Sequence, residues 1–375
     1  MPGVLEEHLH YLSLPHRLDR YRSAIGAVLN PGDRVVDAGC GTGVLGLLCL
    51  QAGASHVDLI DSSPAIELAR ESYARAGWAK KATFFDRSTF QTLLPEPADI
   101  VICDHVGCFG FDYGIAAMMA DARKRFLNPG GRLIPQQVTV CVAAVESEKC
   151  RSLADSWAAP EIPAELRWIR EHSVNASHHI DLQPGDLLST GATLGEIDFR
   201  LDNPDFFSWQ AQLTVQRDGM LHGLAGWFEC ELAPGVSMTN SPLAEQSIRR
   251  AQAFLPIDEA IAVRAGSMLD VSVMARPADN LIAWTVSDPL SGRQFSQSTW
   301  RGEIIGRAQF SRNQPDHVPQ LSASGKARNC VLSYCDGQRS VAQVQEAVLL
   351  NHPNLFPSRD EIVRFVTSVL RRDTC

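Results

Sequence analysis

Basic residues are scarce relative to acidic ones in this chain of 375 residues. Lys and Arg together number 34 against 43 Asp and Glu, which gives a formal net charge of -9. Proteins that bind nucleic acids normally present a basic face, so this balance argues against nucleic acid as a partner. It leaves a basic peptide or protein open as a partner.

Paired cysteines and long apolar runs are also missing. The ten cysteines form no CxxC pair, and Cys103 and Cys108 have no second cluster or histidine run beside them. The sequence therefore predicts free thiols and no zinc site. The N-terminus carries Glu6, Glu7 and His8 and lacks the apolar run of a signal peptide, and no stretch approaches a membrane span. We therefore expect a soluble cytoplasmic protein that binds no membrane.

The distribution of the apolar residues predicts several domains. Residues 1–30 have a helical pattern, expected to form a lid over a cofactor. Residues 31–145 alternate short apolar runs with helical stretches, which is typical of a doubly wound α/β domain with a parallel sheet. The predicted strands are 34–38, 56–61, 82–85, 99–103 and 131–135.

The second half of the chain changes character. Residues 146–310 contain alternating stretches, which predict an antiparallel, barrel-like β domain for substrate binding or dimerisation. Residues 311–320 are polar and contain proline, as in a linker, and residues 321–375 return to a helical pattern. We expect a small helical or winged-helix-like domain there. The predicted strands of the β domain are 207–215, 226–232, 268–275 and 282–287.

A glycine-rich turn between a buried strand and a helix is the strongest signal in the sequence. Gly39, Gly41 and Gly43 allow positive φ angles and a close approach of the backbone to a ligand. Asp37, two residues before the first glycine, suits a cationic, amino-acid-like ligand end better than a pyrophosphate. Asp61 ends the next apolar run, where a carboxylate can hold a ribose diol through two hydrogen bonds. Together these features predict a cofactor site rather than a plain tight turn.

This stretch resembles the class I methyltransferases that use S-adenosylmethionine (SAM), and within them the protein arginine methyltransferases. The resemblance covers roughly residues 8–310. It implies SAM as the cofactor and assigns binding roles to Asp37 and the three glycines. Arg17, four residues before Tyr21, matches the family's arginine that binds the SAM carboxylate. Asp61 and Ser62 match an acidic residue followed by two serines.

The same resemblance extends to the adenine site and the β domain. The adenine-contacting position falls at Ser88 or Thr89, where the family usually has a glutamate. Residues 127–135, LNPGGRLIP, match the family's entry into its barrel. The family dimerises through an arm inserted in the barrel, and residues 151–195 are the candidate equivalent. We therefore expect a homodimer.

The predicted acceptor loop, which lies within residues 103–113, departs from the family pattern. In arginine methyltransferases two glutamates in a loop after the fourth strand hold the substrate guanidinium. Asp104 takes the place of the first, while Asp112 lies one residue short of the second, where Tyr113 stands. The family's Thr-His-Trp loop should fall at residues 247–249, which read Ser-Ile-Arg. We nevertheless predict Asp104, His105 and Asp112 as catalytic residues. For His105 the reason is that an unperturbed histidine titrates near neutral pH and can accept a proton.

The C-terminal segment resembles PqqD-like domains. A Cys335-Asp336-Gly337 turn joins two helical stretches, and Ser340 can cap the second of them. In peptide natural-product pathways such domains bind the leader of a precursor peptide as an added strand at a sheet edge. The alternative is a small helical cap that packs on the barrel-like domain.

Three hypotheses about function follow from these patterns. The first is N-methylation of a ribosomally made, post-translationally modified peptide, recruited through its leader. The second is protein arginine N-methylation with an altered acid pair. The third is a non-catalytic scaffold that keeps the fold or only SAM binding.

Overall fold

The computed structural model describes residues 3–374. The chain divides after Glu303 into two compact units, and the second begins at Ile304. All nine cysteines in the described part of the chain are unpaired. No helix among those residues is long and apolar enough to cross a lipid bilayer.

Two helices open the first unit, α1 (Val4–Ser13) and α2 (Arg17–Val28). Tyr21, Ala24 and Ile25 of α2 are buried, and their spacing places them on one face of the helix. Helix α1 buries none of its side chains. Both helices lie in the segment predicted to be helical.

Five parallel strands form the first sheet, in the order β3-β2-β1-β4-β5. The five predicted apolar runs fall on these strands, which confirms the doubly wound α/β sheet. The chain adds β2 and β3 on one side of β1 and then β4 and β5 on the other, so ligands are expected at the carboxyl ends of β1 and β4. The strands and their helices are β1 (Arg34–Ala38), α3 (Val44–Gln51), β2 (His56–Asp61), α4 (Ala65–Arg75), β3 (Ala82–Asp86), β4 (Ala98–Ile102), α5 (Ile115–Arg125) and β5 (Leu127–Ile134).

An antiparallel β domain follows, with two sheets. One has the order β7-β12-β10-β6-β8, with β11 paired to β10, and the other has the order β15-β14-β13-β9. Alternate residues of β14 are buried, and the indole of Trp284 donates a 2.6 Å hydrogen bond to the carbonyl of Pro256. The predicted antiparallel β domain is confirmed. Its strands are β6 (Gln137–Val145), β7 (His178–Ile180), β8 (Ala192–Asp198), β9 (Phe207–Thr214), β10 (Gly219–Ala233), β11 (Val236–Thr239), β12 (Gln252–Val263), β13 (Met268–Arg276), β14 (Leu281–Asp288) and β15 (Arg293–Ser298).

Helices interrupt the β domain between β6 and β7. They are α6 (Glu148–Asp155) and α7 (Arg170–Val174), with short 3-10 helices at Ser156–Ala158 and Ala164–Ile169. This helical insertion, residues 148–174, covers much of the segment predicted as a dimerisation arm. A last short helix, α8 (Thr299–Gly302), ends the first unit.

The second unit contains helices and, over residues 304–374, no strand. Its core is formed by apolar side chains of α10, α11 and α12, and Ser340 caps α11 as predicted. The predicted linker at 311–320 begins inside α9. A winged-helix domain would need strands, and strand addition by a leader would need a sheet edge, so neither feature is present in this unit. The four helices are α9 (Arg307–Arg312), α10 (Ala323–Leu332), α11 (Val341–Asn351) and α12 (Arg359–Asp373).

Candidate active site

A cavity of about 350 Å³ lies at the carboxyl ends of β1, β2 and β4, and α1 forms one of its walls. This volume is in the range of small-molecule sites. We call it the cofactor cavity. Its lining includes seven of the predicted site residues, Arg17, Gly39, Gly41, Asp61, Ser62, Asp104 and His105. Residues 1–30 were predicted as a lid over the cofactor, but the α1 side chains in the lining were not named from the sequence; they are Val4, Glu7, His8, Tyr11 and Leu12.

The glycine turn forms the floor of this cavity, where Gly39 and Gly41 contribute no side chain. Gly39 and Gly41 have positive φ angles of 69° and 52°. A Cβ atom on Gly41 would lie 2.5 Å from Cε1 of His8, and one on Gly39 would lie 2.1 Å from Nε2 of His105. Gly43, in contrast, faces the core, where its Cβ would meet Leu59. The first two glycines therefore keep the cavity open, and the third allows close packing of α3.

Asp61 joins the ends of β1 and β2. Its two carboxylate oxygens accept hydrogen bonds from the backbone N–H groups of Gly41 and Ser63, each at 2.7 Å. These bonds fix the carboxylate at the rim of the cavity. Ser62 lies beside it in the lining.

Besides Gly43, three other predicted ligand contacts lie outside the lining of the cofactor cavity. Asp37 is buried behind the glycine turn and accepts a 2.8 Å hydrogen bond from the N–H of Gly46, at the start of α3. Burial raises the pKa of Asp37 to about 7, which the hydrogen bond from Gly46 partly opposes. The hydroxyl of Ser88 turns to the N–H of Phe90, and Thr89 is buried. Neither lines the cavity, because a 3-10 helix at Thr89–Gln91 directs both towards their own backbone.

Asp104 is the centre of a buried ion cluster at the end of β4. Its Oδ2 atom accepts hydrogen bonds from Nε of Arg17 at 2.6 Å and from Nη2 of Arg250 at 2.8 Å. Its Oδ1 atom accepts one from the hydroxyl of Tyr21 at 2.9 Å. Burial alone would raise the pKa of Asp104, but the two guanidinium groups outweigh it and hold this pKa at about 2. Asp104 is therefore ionised and binds guanidinium groups beside the cofactor cavity.

Arg250 is the functional residue that the sequence reasoning missed. It is 3 % exposed, its guanidinium lies 5.3 Å from the ring centre of Tyr11, and Nη1 is 3.4 Å from the carbonyl of Gly107. Its Nε atom is buried and has no hydrogen-bond partner among residues 3–374. The sequence did contain a signal for a functional role of Arg250. This residue follows the predicted Thr-His-Trp position and lies two residues before the buried start of β12. A charged residue there needs a partner.

His105 is next to Asp104 and lines the cavity. Its Nε2 atom lies 3.3 Å from the carbonyl oxygen of Gly39. The histidine is therefore close to the glycine turn, where a bound ligand would contact the backbone. Its role as a proton acceptor stays a prediction.

Asp112 points away from the cofactor cavity. Its Oδ1 atom accepts hydrogen bonds from the backbone N–H groups of Cys108 and Phe109, both at 2.9 Å, which closes the loop on itself. The carboxylate lines a second cavity of about 310 Å³ together with His179 and Tyr113. Hydrogen bonds to Asp112 and Cys108 raise the pKa of His179 to about 10. Only the first of the two predicted acids therefore reaches the cofactor cavity.

Tyr113 lines both cavities. It occupies the position that the family resemblance assigns to the second glutamate. The side chain is partly exposed, and burial raises its pKa above the usual value for tyrosine. The loop thus presents a carboxylate at one end and a neutral phenol at the other.

Comparison with known proteins agrees with this architecture. Residues 23–144 match the family model "Methyltransferase small domain", and residues 136–287 match "Arginine methyltransferase oligomerization subdomain". Both matches end before the second unit, so its likeness to PqqD-like domains stays a prediction.

Individual relatives give the same result. Protein arginine N-methyltransferase 1 of Dictyostelium discoideum is 24% identical over 69% of this chain and 78% of the relative. Arginine N(omega)-methyltransferase of Streptomyces achromogenes subsp. streptozoticus is 25% identical over 70% of this chain and 74% of the relative. The Trypanosoma brucei PRMT1 enzyme-prozyme heterotetrameric complex with AdoHcy has a similar fold, with a TM-score of 0.69 and 20% identity over 78% of this chain and 96% of that chain. The chain is therefore a class I SAM-dependent methyltransferase that resembles the protein arginine methyltransferases.

Proposed function

We propose that this enzyme transfers the SAM methyl group to a guanidino nitrogen of an arginine in a protein or peptide substrate. The observation that carries the proposal is Asp104, an ionised carboxylate that binds two guanidinium groups beside the cofactor cavity. The relatives named as arginine methyltransferases support the same acceptor. This site differs from the two-glutamate pattern, because only Asp104 of the predicted acid pair lines the cavity and Asp112 points away from it.

The residues at the cavity fit SAM. The side-chain-free turn at Gly39 and Gly41 leaves room for a ligand against the backbone, and Asp61 is placed at the rim for a ribose diol. Arg17 lines the cavity and is a partner for the ligand's carboxylate. Bound SAM supplies a methyl group on a sulfonium, which is activated for attack by a nitrogen lone pair.

Arg17 has two possible anionic partners at this site. It now contacts Asp104, and a ligand carboxylate in the cavity would compete for the same guanidinium. Movement of Arg17 to the ligand would free one position on Oδ2 of Asp104, while Arg250 would keep Asp104 charged. An acceptor guanidinium could then bind there, so we expect substrate to bind after the cofactor. His105 is the group placed to take the proton that the acceptor nitrogen loses.

Labelled SAM and a pair of peptides test this proposal. The two peptides have the same sequence, with arginine in one and lysine in the other at the central position. We expect label on the arginine peptide alone, and amino-acid analysis after hydrolysis should recover methylarginine. His105→Ala should lower turnover while SAM affinity stays nearly constant. Label on lysine or on the peptide amine would refute the guanidino acceptor, and SAM binding without transfer to any peptide or protein would support the non-catalytic scaffold.

A second candidate concerns how the substrate is recruited. The second unit has its own apolar core, which is compatible with a separate recognition module for a precursor peptide. Any recognition would use a helical surface, because residues 304–374 contain no strand. A chain ending at Glu303 should then have a raised KM for a full-length peptide at an unchanged kcat, because recruitment provides uniform binding energy. Equal KM values for the two forms would remove this role.

We also propose that the protein is a homodimer that uses the helical insertion. Large apolar side chains are exposed there, including Trp157, Leu166 and Trp168, of which the last is 59% exposed. The match to an oligomerisation subdomain supports this assignment. Light scattering should give twice the chain mass, and Trp168→Glu should give a monomer with an unchanged circular dichroism spectrum. A monomeric wild-type protein would exclude the dimer.

A further inference from the structure

Three side chains of types that commonly bind metals meet where the acceptor loop packs on the β domain. They are Cys108 and Asp112 of the loop and His179 of β7, and one ligand atom of each lies within 4.8 Å of the others. Cys108 and Asp112 are buried, while the His179 side chain is 45% exposed. The cluster is separate from the cofactor cavity, whose lining includes none of the three. We propose that Cys108, Asp112 and His179 form a binding site for a zinc ion.

The distances fit a tetrahedral ion. Nε2 of His179 lies 3.6 Å from Oδ2 of Asp112. Nitrogen and oxygen ligands at usual zinc distances are separated by about 3.4 Å at a tetrahedral angle. Only a small movement is therefore needed to bring both atoms into the coordination shell.

The carboxylate is already oriented for this role. The N–H of Cys108 donates to Oδ1 of Asp112 at 2.9 Å and to Oδ2 at 3.1 Å, and the N–H of Phe109 donates to Oδ1 at 2.9 Å. The Oδ2 atom also lies 3.6 Å from Nε2 of His179. Such outer hydrogen bonds commonly fix metal ligands in proteins. Cys108 would bind as a thiolate and His179 as a neutral imidazole, and each would release one proton to solvent, so the two anionic ligands would balance the charge of the ion.

The donor set selects the type of ion. A thiolate, an imidazole and one carboxylate favour Zn²⁺ or Co²⁺, whereas Mg²⁺ and Ca²⁺ require mainly oxygen ligands. Asp112 and His179 also line the second cavity, which gives room for a water molecule as the fourth ligand. A bound ion would tie the acceptor loop, which begins at Asp104, to strand β7. The site is therefore expected to hold the loop in place, with no part in methyl transfer.

Cobalt substitution in the full-length chain tests the proposal. Protein freed of metal with a chelator is titrated with Co²⁺ while absorption is recorded. We expect one equivalent to bind, with a thiolate-to-cobalt charge-transfer band and visible bands of tetrahedral intensity. Zn²⁺ should remove these bands, and excess Mg²⁺ should leave them unchanged. Absence of the charge-transfer band in the wild-type protein would overturn the proposal.

Variants identify the ligands. Cys108→Ser should remove the charge-transfer band, whereas Cys335→Ser, which removes an exposed thiol of the second unit, should leave it intact. His179→Gln changes a half-exposed side chain, so the fold should persist, and Co²⁺ affinity should fall at least about tenfold. Zn²⁺ should raise the thermal midpoint of the wild type and leave that of His179→Gln unchanged. A band that survives in Cys108→Ser, or an unchanged affinity in His179→Gln, would refute the site; neither result bears on the methyl acceptor.

Discussion

The two ends of the acceptor loop use aspartate in opposite ways. Asp104 is held by two guanidinium groups and a tyrosine hydroxyl at the cofactor cavity, whereas Asp112 is held by two backbone N–H groups and faces the β domain. The family resemblance places Asp104 at the first acid of a pair and Asp112 one residue short of the second. The difference shows that the distance of a carboxylate from the end of a strand does not determine which cavity it enters, because its hydrogen-bond partners decide its direction.

Removal of the charge at the first end should have the largest effect. Asp104→Asn leaves Arg17 and Arg250 buried beside a neutral partner, so we expect a loss of about 3–5 kcal/mol in the free energy of unfolding. Methyl transfer should fall by about a hundredfold or more, because the acceptor loses its binding partner. Urea denaturation and labelled SAM measure the two effects.

A surface acid provides the control for that variant. Asp202 also pairs with an arginine, Arg123, but its side chain is 72% exposed. Asp202→Asn should therefore leave the free energy of unfolding nearly unchanged, because solvent screens an exposed ion pair. If Asp104→Asn is equally mild, the buried ion cluster does not have the importance that its geometry indicates.

The glycine turn gives the next largest effect, on cofactor affinity. Gly41→Val places a branched side chain at a positive φ angle and against His8, so SAM affinity should fall by about a hundredfold, or 2.7 kcal/mol. Gly77→Val is the matched control, because Gly77 has a φ angle of 76° and no atom within 4 Å of its Cβ position. Calorimetry with SAM should show a loss of affinity for Gly41→Val alone. Equal affinities would place the cofactor elsewhere.

Removal of the charge at the second end should have a smaller effect. Asp112→Asn keeps an oxygen that can accept from the N–H groups of Cys108 and Phe109 but loses the charge, so we expect a loss of about 1–2 kcal/mol in stability. SAM affinity should remain within about twofold of the wild type, because Asp112 lies outside the cofactor cavity. A loss of SAM affinity equal to that of a cofactor-site variant would show that the two ends are coupled.

The last comparison is a pH dependence of stability that originates from Asp37. Because burial raises the pKa of Asp37 to about 7, the folded protein keeps a proton that the unfolded chain loses near pH 4. Relative to Asp37→Asn, wild-type stability should therefore fall as pH rises from about 4 to about 7, by at most about 1.4 kcal/mol per pH unit. Asp104 behaves in the opposite way, since its low pKa contributes stability above pH 4 that is lost as pH falls through about 2. Denaturation of the wild type and of Asp37→Asn between pH 4 and pH 8 tests the sign of this dependence. If the wild type gains stability relative to Asp37→Asn as pH rises, the prediction is wrong.

The sequence by itself determined the parallel sheet, the antiparallel β domain and the glycine turn. Each of these depends on local pattern: continuous apolar runs, alternation, and glycine at positions of positive φ. Asp61 was also predicted in its observed place, because it ends β2 and its partner Gly41 lies in the turn that follows β1, the neighbouring strand of the sheet.

Only the tertiary structure decided the partners of the charged groups. Arg250 is 146 residues from Asp104, and no local pattern connects them. The sequence predicted no zinc site because Cys103 and Cys108 have no second cluster or histidine run beside them, whereas the pairing of β7 with β12 places His179 near Cys108 and Asp112. Likewise Asp37 and Ser88 were expected to contact the cofactor, but nearby backbone N–H groups bind both side chains first. A hydrogen bond depends on distance in space, which the chain fixes only after its strands have paired.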